Sequence, residues 1–154
     1  MGNRYRIFTV IKFFRRLCKI FPFIEPYIYK WIRHKARRSK GEILVAEWLN
    51  NNNIKFKQEY LVRFPFLVKK KPFVFINFYL PDYNIFIEYN GRQHYEYVPY
   101  FHKHEDYFLR QQIRDNVVRS YCKENNIQLI EIPYYLSKSE IFEYLNESVN
   151  KSRQ

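Results

Sequence analysis

The apolar positions of this chain change period several times, and each change marks an element. From Arg4 to Ile20, the residues Ile7, Val10, Ile11, Phe14 and Leu17, followed by Phe21, recur at helical spacing opposite Lys12, Arg15, Arg16 and Lys19. Pro22 and Pro26 stop that pattern, and Ile28, Trp31 and Ile32 mark a second helical stretch over 27–38. Ser39-Lys-Gly-Glu42 has the form of a capping box; it opens a helix to about Leu49, which the Asn50 to Asn53 run ends. Ile54, Phe56, Tyr60, Val62 and Phe64 then alternate with Lys55, Lys57, Glu59 and Arg63, as on a half-exposed strand. The stretch from Pro65 to Pro72 is a loop.

Between Pro72 and His94 lie two short β-branched and aromatic runs, with Phe73 and Phe75 in the first and Ile85 and Ile87 in the second. Pro81 fixes φ between them, while Asp82 and Asn84 tolerate turn geometry, so a hairpin is predicted. Asn90-Gly91 is a second tight-turn signal, which would ask for positive φ at Asn90. A helix follows from about Glu105 to Asn125. Phe108, Ile113, Val117, Val118 and Tyr121 are assigned inward and Arg110, Arg114 and Arg119 outward. Ile127 to Ile132 is a short buried strand closed by Pro133. Ser137-Lys-Ser-Glu140 caps a terminal helix with Ile141, Leu145 and Val149 inward.

The predicted order is αβββαβ, then a C-terminal helix, all preceded by a basic helical extension. That order gives an α/β domain with a mixed central sheet and helices on both faces, spanning 41–154, with 1–40 as the extension.

Charge adds the next constraint. Residues 1–40 hold twelve bases, Arg4, Arg6, Lys12, Arg15, Arg16, Lys19, Lys30, Arg33, Lys35, Arg37, Arg38 and Lys40, against the single acid Glu25. That segment therefore carries +11 of the chain's net +12. A nearly neutral domain with a basic extension points to a polyanion, DNA or rRNA, gripped through phosphate neutralisation. Two other uses of the segment stay open: an amphipathic helix on a membrane surface, or two helices packed on the domain with a solvated basic face. Lys69, Lys70 and Lys71 are either further phosphate contacts or a solvated turn. No apolar run approaches the roughly 20 residues of a membrane span. Cys18 and Cys122 stand apart with no CxxC partner, which leaves no disulfide framework or zinc site and suits an intracellular, reducing compartment. The Arg-rich, acid-poor start is shared with mitochondrial presequences, without their Ser-rich composition.

Chemistry is concentrated at the hairpin's polar end. If the strands pair, period-2 geometry puts Glu88 and Asn90 on one face with Asn77 across from them and His94 nearby. The stretches FINFYLP, IEYNGRQH, RDNVVRSYC and IQLIEIPYY resemble the PD-(D/E)XK nuclease superfamily over roughly 41–135. The similarity is to the branch that contains the very-short-patch repair endonuclease and small phage homing endonucleases. The resemblance implies a restriction-endonuclease-like core and Mg²⁺-dependent phosphodiester hydrolysis. It also implies catalytic positions at Glu42, Glu88, His94 and Asp115 and metal positions at Asn77, Glu88 and Asn90. Two of those metal positions are aspartates in the family, and the lysine expected three residues after Asp115 is Val118. Mg²⁺ is a hard cation that is usually held by carboxylates, and Asn offers only a neutral oxygen, so cleavage is expected to be weakened or lost.

Each residue also has a plainer role: Glu42 as a helix cap, Asn90 as a turn former, His94 as a hydrogen-bonded structural residue. Three functions follow: a nucleic-acid-binding protein with a retired nuclease site, an active Mg²⁺-dependent DNA endonuclease, or a structural subunit of a large ribonucleoprotein such as an organellar ribosome, held among its proteins and rRNA.

Overall fold

The computed structural model describes residues 26–27, 38–63, 73–102 and 104–151. The elements are α1 (Lys40–Asn51), β1 (Lys57–Arg63), β2 (Phe73–Leu80), β3 (Ile85–Asn90), a 3₁₀ turn (Arg92–His94), α2 (Pro99–His102), α3 (Glu105–Glu124), β4 (Gln128–Pro133) and α4 (Lys138–Asn150). The chain divides into two compact units. One takes 1–37 and 61–75, and the other takes 38–60 and 76–154. In the first, Val62, Phe73, Val74 and Phe75 are buried, and the rings of Phe73 and Phe75 meet edge to face. The second contains α1, β3, β4 and all the later helices.

Asparagine sets the element boundaries. Asn53 after α1, Asn84 in the hairpin and Asn126 after α3 have φ of 53°, 54° and 53°, the left-handed conformation that Asn enters more easily than most residues. The Ser39 hydroxyl accepts from the Glu42 N–H and starts α1. At α4 the capping box is complete: Ser137 accepts from the Glu140 N–H and its own N–H donates to the Glu140 carboxylate.

The sheet has the order β1-β2-β3-β4, with β2 and β3 antiparallel and β3 and β4 parallel, so it is mixed. Alternation sends Phe78, Leu80, Ile85, Ile87, Ile130 and Ile132 to one face. There they form the core with Val45, Trp48 and Leu49 of α1 and Ile141, Leu145 and Val149 of α4. The buried Trp48 indole N–H is satisfied by Asn146 Oδ1 of α4 at 3.2 Å. The opposite face begins as an aromatic cluster of Tyr60, Tyr79 and Phe86, with ring centroids 4.5 to 5.8 Å apart. It becomes polar toward the carboxyl end of β3, where α3 covers it with Val118 and Cys122. Helices thus lie on both faces, as the crossover connections require.

Two local expectations fail here. Ile113 of α3, assigned inward, is 46% exposed. The inward line of that helix runs through Gln111, Arg114 and Asp115 before it reaches Val118 and Cys122, so its buried side is partly polar; Phe108, Val117, Val118 and Tyr121 are buried or half-buried as assigned, and Ile113 is not. Asn90 is also no turn former. It ends β3 in register with Pro133, only 4% exposed, and neither it nor Gly91 has positive φ. The chain reverses instead in the 3₁₀ turn that follows.

Candidate functional site

The parallel pairing of β3 and β4 sets Glu88 beside Glu131, both on the polar face. Neighbouring strands lie about 4.8 Å apart, so two acids are brought together that the sequence separates widely. On the other side of β3, side chains enter the strand pairing beyond Phe78 and Ile87. The Asn77 N–H donates to Glu88 Oε2 at 3.3 Å, and Asn77 Oδ1 accepts the Tyr89 N–H at 2.8 Å. Asn77 is 8% exposed, and this pairing satisfies a polar group that would otherwise be costly to bury.

Asn90 has an equally definite task. Its Nδ2 donates to Glu131 Oε1 at 3.1 Å. The same carboxylate receives a two-pronged grip from Arg119, Nε to Oε2 and Nη2 to Oε1, each at 2.8 Å. This grip raises the Arg119 guanidinium above its ordinary pKa. Beneath the acids, the Cys122 thiol is pushed up to about 11 by burial first and by the charges of Glu131 and Glu88 second.

His94 Nδ1 lies 2.9 Å from Asp115 Oδ2, with the two side chains 17% and 13% exposed. Gln111 Nε2 donates to Asp115 Oδ1 at 2.9 Å and also lies 3.2 Å from His94 Nδ1. Those contacts compete for one tautomer. The charged carboxylate is the stronger acceptor, so we assign the proton to Nδ1, which leaves Nε2 with a lone pair. This is the arrangement of an imidazole oriented by a carboxylate. Glu88, Asn90, His94, Arg114, Asp115 and Glu131 all line one pocket, floored by Val118 and Leu129.

The structure therefore brings together Asn77, Glu88, Asn90, His94 and Asp115. Glu42 is not among the pocket residues. Its charge acts on the phenol of Tyr89, whose pKa is raised by burial first and by Glu42 second, and Tyr89 packs on the core side of β3. Arg38 and Lys40 are described and exposed. Arg4, Arg6, Lys12, Arg15, Arg16, Lys19, Arg33, Lys35, Arg37, Lys69, Lys70 and Lys71 lie outside the described residues. Among the described residues, no group of three or more His, Cys, Asp or Glu is placed to hold a metal ion, and no helix is long and apolar enough to cross a membrane.

Sequence reasoning missed Glu131, Gln111 and the inward placement of Arg114, while Arg119 is exposed as assigned and reaches Glu131 from the surface. Glu131 did leave a signal: a lone acid inside an apolar strand, in the same Ile-Glu step as Ile87-Glu88.

Comparison with known proteins gives partial matches. Uncharacterized protein 307L of Invertebrate iridescent virus 6 is 48% identical over 59 residues, 38% of this chain and 30% of that protein. Uncharacterized protein 033L of Invertebrate iridescent virus 3 is 39% identical over 70 residues, 46% of this chain and 36% of that one. Uncharacterized protein 094L of Frog virus 3 is 51% identical over 55 residues, 35% of this chain and 36% of that one. The chain thus spans about a third of the length of the relatives it matches. No family model matches, and no solved structure matches. What the comparisons establish is a similarity, over part of the chain, to proteins of iridescent viruses and a frog virus.

Proposed function

We propose that this chain binds nucleic acid on a restriction-endonuclease-like core whose metal-dependent phosphodiester hydrolysis is weakened or lost. One observation carries the second half of that statement: Asn90 Nδ2 donates to the Glu131 carboxylate. An aspartate could not make this donation, and it would set a second negative charge against Glu131. The bond supports a site completed by protein groups.

The remaining donors suit Mg²⁺ poorly for the same reason. Glu131 is occupied by Arg119 and Asn90, Asp115 by His94 and Gln111, and the Asn77 oxygen by a backbone N–H. A cation that needs free anionic oxygens would have to displace charge-assisted bonds. The αβββαβ order and the mixed sheet agree with the expected core. The excess positive charge in residues 1–40 supports a polyanionic partner.

The oriented His94–Asp115 pair favours a second reading, an endonuclease that still cleaves with Mg²⁺. Nicking of supercoiled plasmid in Mg²⁺ and in Mn²⁺ separates the two. The comparison uses the unaltered protein, Glu88→Ala, and the Asn77→Asp, Asn90→Asp double variant. The proposal expects plasmid binding without nicking, with nicking in the double variant alone. Nicking by the unaltered protein that disappears in Glu88→Ala would establish the endonuclease instead.

A further inference from the structure

We propose that Tyr95, Tyr134 and Tyr135 form a stacking platform that receives an unpaired nucleobase at the mouth of the Glu88–His94 pocket. The nucleic acid bound there is then single-stranded or opened at that point. This inference rests on the nucleic-acid reading and specifies its ligand.

The position comes from the sheet. β3 and β4 run parallel and finish together, Asn90 level with Pro133. Tyr95 follows β3 by way of the 3₁₀ turn, and Tyr134 and Tyr135 follow β4 directly. The carboxyl ends of parallel strands are where open α/β sheets leave room for ligands. Two acids of the pocket, Glu88 and Glu131, lie two residues before the ends of the same two strands.

Three rings are grouped there and each keeps more than a third of its surface exposed, Tyr95 47%, Tyr134 37% and Tyr135 67%. Large aromatic side chains gain most from burial, so an exposed group of them beside a pocket calls for an occupant. The centroids are 5.6 to 6.3 Å apart, and the planes are inclined by 46° to 78°. The rings touch at edges and corners, which leaves faces free for a planar ligand.

Tyr134 is held at both ends. The Tyr134 hydroxyl donates to Glu96 Oε1 at 3.4 Å, and the Tyr134 carbonyl accepts from the Tyr89 hydroxyl at 3.3 Å. A ring anchored in this way, in contact with Tyr95 and Tyr135, loses little freedom when something stacks beside it.

Local charge narrows the occupant further. Arg92 is forked onto Glu96 and Arg119 onto Glu131, so both guanidinium groups are neutralised where the rings stand. The spot suits a neutral flat group better than a phosphate, and its hydroxyl and carboxylate rim is too wet for an aliphatic side chain. A nucleobase meets both conditions, with the phosphates left to the basic parts of the chain.

The test is fluorescence anisotropy in EDTA, so that cleavage plays no part. The probes are a labelled single strand containing 2-aminopurine and the blunt duplex of the same sequence. The expected result is quenching of 2-aminopurine on binding. Tyr135→Ala and Tyr135→Leu should lose single-strand affinity on the order of tenfold, with Tyr135→Phe close to unaltered and duplex affinity unchanged in all three. Tyr135 is the most exposed of the group, and circular dichroism verifies that the variants fold. Equal single-strand affinity in Tyr135→Ala, or retention in Tyr135→Leu, would overturn the platform while leaving nucleic-acid binding intact. If the unaltered protein binds neither probe, the nucleic-acid reading fails and the platform fails with it.

Discussion

At Asn90 a single nitrogen separates two kinds of site. Its amide supplies a proton to Glu131 that a carboxylate lacks, so Asn90→Asp removes a bond to a charged group and adds a repulsion. In metal-free buffer the variant should lose about 1–3 kcal/mol of stability, read as a lower urea midpoint. Cys122 makes the opposite kind of statement about the same region. Its thiol, 2% exposed, has a pKa raised from 9.0 to about 11, so the neutral form is favoured in the fold. A raised folded pKa leaves stability untouched below pH 9 and erodes it as pH climbs from 9 toward 11, where the unfolded thiol ionises first. Native protein at pH 8 should therefore resist a thiol-reactive dye, and the rate should jump only when urea opens the chain. Rapid labelling in native buffer would show that the acids are not stacked above a covered sulfur.

The elements differ in what their hydrophobic pattern is worth. In α4 the pattern is clean, and Leu145→Ala should cost about 2–5 kcal/mol, because Leu145 lies in the core and the void cannot close fully. In α3 the exposed Ile113 should accept Lys within about 0.5 kcal/mol. Paired urea titrations of the two variants check both. The capping box of α4 adds a pH signature. Glu140 is held below 4.5 by its bonds to Ser137, so its contribution is present above pH 4.5 and is lost as pH falls through the lower folded value. Ser137→Ala should bring the Glu140 titration, followed by NMR, back toward 4.5.

These contrasts explain what could be seen in advance. The hairpin, both Ser caps, the Asn terminators and the α4 stripe are local chemistry, legible one segment at a time. The resemblance singled out Asn77, Glu88, His94 and Asp115, and the fold sets Asn77 against Glu88 and His94 against Asp115. Glu131 and Gln111 were not legible, because each takes its place only through register with a distant strand or helix. The polar inner side of α3 misled the assignment of Ile113 and Arg114 for the same reason, and Asn90 looked like a turn former until its partner on β4 was in place.

For the whole molecule, the uneven distribution of charge along the sequence matters most in solution. With a net charge of +12 and +11 of it in residues 1–40, the proposed nucleic-acid binding is expected to weaken steeply with salt. A plot of log affinity for duplex DNA against log salt should fall by about 0.9 for each phosphate engaged. A flat plot would remove phosphate contact from the account. The parallel pairing of β3 with β4 has a consequence in time. Asn90 and Glu131 are 41 residues apart, and α3 lies between them. The β2–β3 hairpin can form early, since its contacts are local, whereas the acid pair and its arginine clasp exist only after the crossover has closed. During synthesis the growing chain thus passes through a stage that has its hairpin but only half of its site, and the last piece to arrive, β4, also brings the two tyrosines that complete the proposed platform.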